Sequence, residues 1–211
     1  MAEVKIAADS GGGSVAIAGP ASTTGNANLS YTLPDATTGG VIRTTTTPGG
    51  ILQVVSTTKT DTFSSSTVDT FVDIDGTDQA GAGSVWCCKI TPISTSNKIL
   101  IFYDLQMSGT ELFFIQLVRG STAIKVGDSD SSNRVECTAG SIVQSGNNDK
   151  VQQIAGTFLD SPSTTSAITY KIQGRVYSSS KSFSVNKPIN DSDSTYTGRG
   201  ASTITLMEVA G

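Results

Sequence analysis

The chain has 211 residues, 14 basic and 18 acidic side chains, a formal charge of −4 and no histidine. The missing imidazole excludes Ser-His-Asp and Cys-His nucleophile systems and the His-built zinc and non-haem iron sites. An acidic balance without any basic run likewise argues against a partner recognised through its phosphate backbone.

Ser and Thr occupy 58 positions, and Thr, Ile and Val together make 62 β-branched residues against nine Leu. Such side chains lose rotamer freedom in a helix and fit a pleated strand, so an all-β chain is expected. Residues 1–49 read differently from the rest: from Asp9 to Gly50 the sequence is mostly Gly, Ser, Thr, Ala and Asn, broken by Pro20, Pro34 and Pro48 and by the pairs Gly39-Gly40 and Gly49-Gly50. The apolar pieces between these breakers, at 15–17, 29–33 and 41–42, are each too short to enclose a core. The segment reads as an extended N-terminal arm ordered by a partner. The opening residues lead into no apolar signal core and no stretch reaches the length of a membrane span, so synthesis in the cytoplasm and no membrane insertion are expected.

From residue 50 the pattern changes to strand-like runs of period two. They cover 51–55, 68–74, 85–93, 98–107, 112–118, 123–126, 135–143, 151–159, 168–177, 183–185 and 202–209, with turn clusters at 128–133, 145–149 and 160–163. The two most apolar runs, 98–107 and 112–118, flank Ser108-Gly109-Thr110 and read as a hairpin at the centre of the core. Strands at short regular spacing with no helical periodicity predict an antiparallel β-sandwich or jelly roll over 50–211.

Few motifs carry chemistry. Gly11-Gly12-Gly13 lacks the Lys-Ser/Thr pair of a phosphate loop. Cys87, Cys88 and Cys137 form no disulfide framework and read as small buried hydrophobes. Acidic pairs two residues apart, Asp73/Asp75, Asp128/Asp130 and Asp191/Asp193, place both carboxylates on one side of a strand, where a hard cation could be shared. None continues into an EF-hand loop, and solvated turn acids are the simpler reading. Of the aromatic residues, Phe102, Phe113, Phe114 and Phe158 are expected in the core, and Trp86, Tyr177 and Tyr196 at the edges of polar stretches. No catalytic, metal-binding or cofactor-binding residue is assigned, and no cofactor is expected. The candidate surface-binding loops are the long polar connections 128–134 and 187–199, with Asp128, Asp130, Arg134, Asp191, Asp193, Tyr196 and Arg199 as the contact residues, because function on rigid scaffolds concentrates in such loops.

Several stretches resemble a known group. GSVAIAGP at 13–20, TGNANLSYTLP at 24–34 and ILQVVSTTKT at 51–60 look like the threading segments of tail-fibre and virion-surface proteins of marine bacteriophages. GTFLDSPSTT at 156–165, TYKIQ at 169–173 and STITLMEV at 202–209 are similar to the C-terminal β-domain of that group. The resemblance implies a jelly-roll-like domain of tumour-necrosis-factor-like shape, usually trimeric. The chain is short for a tail fibre and has no shaft repeats, which favours a head fibre or capsid decoration protein. Its expected place is the virion surface after synthesis in the bacterial host. Its expected partners are two further copies of itself, other virion proteins such as capsid or tail components through residues 1–49, and a host-surface glycan or protein. The competing expectation is a carbohydrate-binding domain or a carboxylate-dependent depolymerase on the same scaffold.

Overall fold

The computed structural model describes residues 3–7, 14–18, 50–128, 133–142 and 148–211, which contain strands and no helix. Two units are distinguished, residues 1–43 and 44–211. In the first, β1 (Glu3–Ala7) pairs antiparallel with β2 (Ser14–Ala18), in a register running from Glu3 opposite Ala18 to Ala7 opposite Ser14. The expected arm thus contains a short hairpin. Its remaining residues, 1–2, 8–13 and 19–49, lie outside the described residues.

The second unit is built from β3 (Ile51–Lys59), β4 (Phe63–Ser65), β5 (Val72–Asp73), β6 (Cys87–Ile90), β7 (Lys98–Gly109), β8 (Leu112–Arg119), β9 (Thr122–Ile124), β10 (Ala139–Ile142), β11 (Gln152–Asp160), β12 (Ile168–Val176), β13 (Phe183–Val185) and β14 (Ser202–Val209). Side chains alternate sides along a strand, and β7 displays this fully. Ile99, Ile101, Tyr103, Leu105 and Met107 are buried, whereas Leu100, Phe102, Asp104 and Gln106 face outward.

One sheet has the order β11-β7-β14-β3, with β13 and β4 extending the β14 and β3 positions further along β7. The other has the order β10-β8-β12-β6, with β9 beside β8 and β5 beside β12. Every ladder between these strands is antiparallel, and the chain crosses repeatedly between the sheets, as from β7 to β8 and from β10 through β11 to β12. The expected all-β sandwich is therefore what forms. Its core draws Ile101, Leu105, Met107 and Leu206 from the first sheet and Phe113, Ile115, Tyr170 and Ile172 from the second. Gly174 in β12 is bare because a Cβ there would sit 2.5 Å from the Phe183 ring.

Four expectations are corrected. β7 and β8 form no hairpin; they lie in different sheets, and their connection crosses the sandwich. Both strands carry a continuous apolar inner face, and facing each other across the core buries both faces where pairing side by side would not. The crossing is fixed from outside the pair: the Thr110 N–H donates to Ser182 O and the Ser182 N–H to Thr110 Oγ1, each at 3.0 Å. Trp86, expected as a half-buried residue at the edge of a polar stretch, is 1 % exposed, while Phe102, expected in the core, is 38 % exposed at an outward position of β7. The run 68–74 is not one strand. Val68 makes a single parallel bridge to Val176 of β12, Asp69 adopts φ 57° and pairs with Arg175, and the antiparallel ladder to β12 resumes only at Val72–Asp73. Cys87 and Cys88 are buried as expected.

Two polar clusters close the domain. Asp160 at the end of β11 accepts Arg119 Nη1 at 2.9 and 3.0 Å and the Tyr170 hydroxyl at 2.6 Å, linking the two sheets. At the same end of the first sheet, on the other side of β7, Glu208 is fully buried and accepts Gln53 Nε2 at 2.5 Å, the Ile93 N–H at 2.8 Å and Asn97 Nδ2 at 2.5 Å. Beside it, the Ala210 N–H donates to Gly50 O at 2.8 Å and the Gly211 N–H to Asn97 Oδ1 at 3.2 Å.

Candidate functional site

The loop 187–199 leaves the domain at Asn186, which holds φ 62° and is fully buried. A short polar side chain tolerates that left-handed conformation, and here it also ties four segments together. Its N–H donates to Gln106 O (2.7 Å), and its Nδ2 donates to Lys59 O (2.8 Å) and Asp61 O (2.9 Å). Its Oδ1 accepts the Ser202 hydroxyl (2.6 Å), and its carbonyl accepts the Gly200 N–H (3.1 Å). Both feet of the loop are thus clamped, and midway along it the Asn190 N–H reaches Asn148 O at 2.8 Å.

Inside the loop, Arg199 meets Asp191 through two parallel contacts, Nε to Oδ1 at 3.0 Å and Nη2 to Oδ2 at 2.5 Å. These hydrogen bonds hold the Asp191 carboxyl below the usual range, with the nearby Lys187 charge acting the same way. Thr197 Oγ1 donates to Ser192 O at 2.6 Å and closes the turn. The loop encloses a 340 Å³ cavity lined by Asp191, Ser192, Asp193, Ser194, Thr197 and Arg199. An adjoining 370 Å³ cavity shares Gly198 and Arg199 and is walled by Gln106, Asp149, Lys150 and Tyr196, whose ring is 72 % exposed.

Four of the sequence-predicted contact residues, Asp191, Asp193, Tyr196 and Arg199, therefore surround one pair of cavities. Asp128 and Arg134 are exposed on the connection between β9 and β10 and line neither cavity; Asp130 lies outside the described residues. Gln106 and Lys150 come from distant strands and turns and carry no local signal. Among the described residues no group of three or more Cys, Asp or Glu is placed to hold a metal ion. In two of the three acidic pairs one carboxylate already has a cation of the chain, Asp73 with Lys171 and Asp191 with Arg199.

The outward faces of the two sheets differ sharply. On the first, Leu159, Leu100, Met207 and Val54 stand in register across β11, β7, β14 and β3. The next row is Thr157, Phe102, Thr205 and Ser56, with Ser56 Oγ and Thr205 Oγ1 2.9 Å apart. Val54 and Leu159 are about half exposed, and a 460 Å³ depression lies over Phe102, Ala155, Thr203 and Thr205. On the second sheet the outward side chains are charged and mutually bonded. Lys171 and Gln173 both donate to Asp73 (2.8 and 2.7 Å), Gln116 donates to Gln173 (2.6 Å), and Arg175 pairs with Asp69 (2.6 Å) over the rings of Phe71 and Phe114.

At the edge of the second sheet, Lys89 Nζ contacts Asp78 at 2.7 Å, and the Ala80 and Ala82 N–H groups donate to the other carboxylate oxygen. The Lys89 hydrogen bond, helped by that from Ala82, lowers the Asp78 pKa from 3.8 to about 2. A lowered folded-state value means that the contribution to stability is complete above the ordinary value and vanishes as the pH falls through about 2. Asp78→Asn is expected to flatten the acid limb of the stability profile in that window, read by urea unfolding across the pH range. An unchanged acid limb would remove Asp78 from this role.

No protein-family model matches the chain, and comparison with curated proteins finds no match.

Proposed function

We propose that this protein is a non-enzymatic subunit of a bacteriophage particle surface. In this reading it is a homotrimeric fibre, spike or capsid decoration protein. Residues 1–49 attach it to other virion proteins, and the β-domain faces outward toward the host surface. The observation that carries the reading is the contrast between the two outward sheet faces. A surface row of Leu159, Leu100, Met207 and Val54, extended by Phe102 and a band of hydroxyls, costs free energy in water and marks a contact surface. The self-satisfied charges of the other sheet mark a face that stays hydrated. Three copies meeting through the apolar row, with Asp104 at its margin bonded to Gln153, form a closed cyclic assembly with no leftover sticky surface. The absence of histidine and the resemblance to virion-surface proteins support the structural role.

Native mass measurement of the full chain tests the assembly. A particle of three times 21.7 kDa is expected for the parent. Leu100→Glu, which sets one carboxylate per copy within the proposed contact, is expected to give single chains with an unchanged far-ultraviolet spectrum. A monomeric parent, or a Leu100→Glu variant that remains trimeric, overturns the assembly. Antibody labelling of intact particles tests the location, with bare particles as the opposing result.

A further inference from the structure

We propose that the loop 187–199, together with the adjoining wall of Gln106, Lys150 and Tyr196, is a binding site for a neutral pyranose unit of a surface polysaccharide. The inference deepens the host-contact part of the reading above and rests on it. The two adjoining cavities, 340 and 370 Å³, which share Gly198 and Arg199, fall in the size range of small-molecule sites. Their lining supplies the three elements a sugar ring needs. Tyr196 presents an aromatic face, 72 % exposed, against which the C–H side of a pyranose can stack. Arg199 is held by Asp191 through Nε and Nη2, which leaves its Nη1 hydrogens to donate to a ligand hydroxyl. Asp193, exposed and without a protein partner among the described residues, supplies a complementary acceptor.

The loop is held before any ligand arrives, because the Asn186 clamp and the Asn190 contact fix it from both sides, which reduces the ordering cost of binding. The charge pattern selects the ligand class. Asp149, Asp191 and Asp193 are balanced by Lys150, Lys187 and Arg199, so the site carries no net field to attract or repel an ion. A hydroxyl-rich, uncharged ring suits it better than a sialic acid or a phosphorylated sugar.

Saturation-transfer NMR on the full chain tests the site, with the methyl glycosides of glucose, galactose, mannose, rhamnose and N-acetylglucosamine as probes and the methyl glycoside of N-acetylneuraminic acid for contrast. At least one neutral glycoside is expected to receive saturation with a dissociation constant of about 1 mM, the scale of a single-ring contact. Tyr196→Ala and Arg199→Ala are each expected to weaken it about tenfold or more, a change of about 1.4 kcal/mol, at an unchanged melting temperature. Asp128→Ala, on the other loop, is expected to leave it unchanged. Transfer to none of the neutral probes, transfer only to the acidic one, or full binding by both loop variants would overturn the proposal. A trimer that binds no sugar refutes this site alone, and a sugar-binding monomer refutes the trimer alone.

Discussion

Asp160→Ala is expected to lower the unfolding free energy of the β-domain by about 3 kcal/mol, the lower end of the range for breaking a buried ion pair. Asp160 is 5 % exposed and bonds both Arg119 and the fully buried Tyr170. Removing the carboxylate leaves a phenol hydroxyl in the interior with no acceptor and a guanidinium with no counter-charge. Arg119 keeps some contact with solvent, which places the cost at the lower end. The loss also separates the sheets, since Asp160 belongs to the first and its two donors to the second. Burial, and then the adjacent carboxylate, push the Tyr170 hydroxyl pKa up, so it stays a donor throughout the accessible pH range. Tyr170→Phe removes one donor but leaves the ion pair, and about 1.5 kcal/mol is expected. Urea unfolding reads both as shifts of the midpoint at constant slope. A cost for Asp160→Ala below about 1 kcal/mol, the scale of a surface pair, would show that the cluster does not hold the sheets.

Asn186→Ala is expected to cost about 3 kcal/mol or more, and for two separable reasons. The side chain satisfies Lys59 O, Asp61 O and the Ser202 hydroxyl, and the two buried groups, Lys59 O and the Ser202 hydroxyl, each carry a desolvation penalty of about 1 kcal/mol or more when left without it, with a smaller cost at the part-buried Asp61 carbonyl. Alanine is also strained at φ 62°. Asn186→Gly removes the strain and keeps the polar loss. If the hydrogen bonds dominate, the two variants differ by no more than about 1 kcal/mol. Hydrogen exchange adds a local reading: protection of the Gly200 N–H, which bonds to the Asn186 carbonyl, is expected to fall in both variants while the β7 and β12 amides stay protected. A glycine variant as stable as the parent would place the whole effect in the backbone.

The strands were legible because a period of two survives in a sequence so rich in β-branched residues. β7, β8, β11, β12 and β14 coincide closely with the runs read from the residues. What periodicity does not carry is which side of an unbroken apolar run turns inward. Ile99-Leu100-Ile101-Phe102 is apolar on both faces, so the exposure of Phe102 depends on where β11 and β14 sit. The same ambiguity hid the crossing between β7 and β8, since a short polar link joins a hairpin or two facing sheets equally well. In the candidate site, Asp191 and Arg199 were legible as members of one loop because their contact spans eight residues. The clamp beneath them was not: Asn186 draws on Lys59, Gln106 and Ser202, which only the tertiary fold makes neighbours.

The arrangement of β3 and β14 bears on how the domain carries load. The chain enters β3 at Gly50, beside the Glu208 pole, while the loop 187–199 is rooted at the far pole, where Ser202 stands opposite Lys59. Tension between a tethered residue 50 and a ligand gripped at that loop runs lengthwise along two antiparallel strands joined by eight register pairs. Such a pull shears the ladder, straining all its hydrogen bonds at once, instead of unzipping them one after another. Mechanical rupture under that geometry demands far more force than peeling the same strands from an end, so the fold places its strongest direction along the line from residue 50 to the loop 187–199.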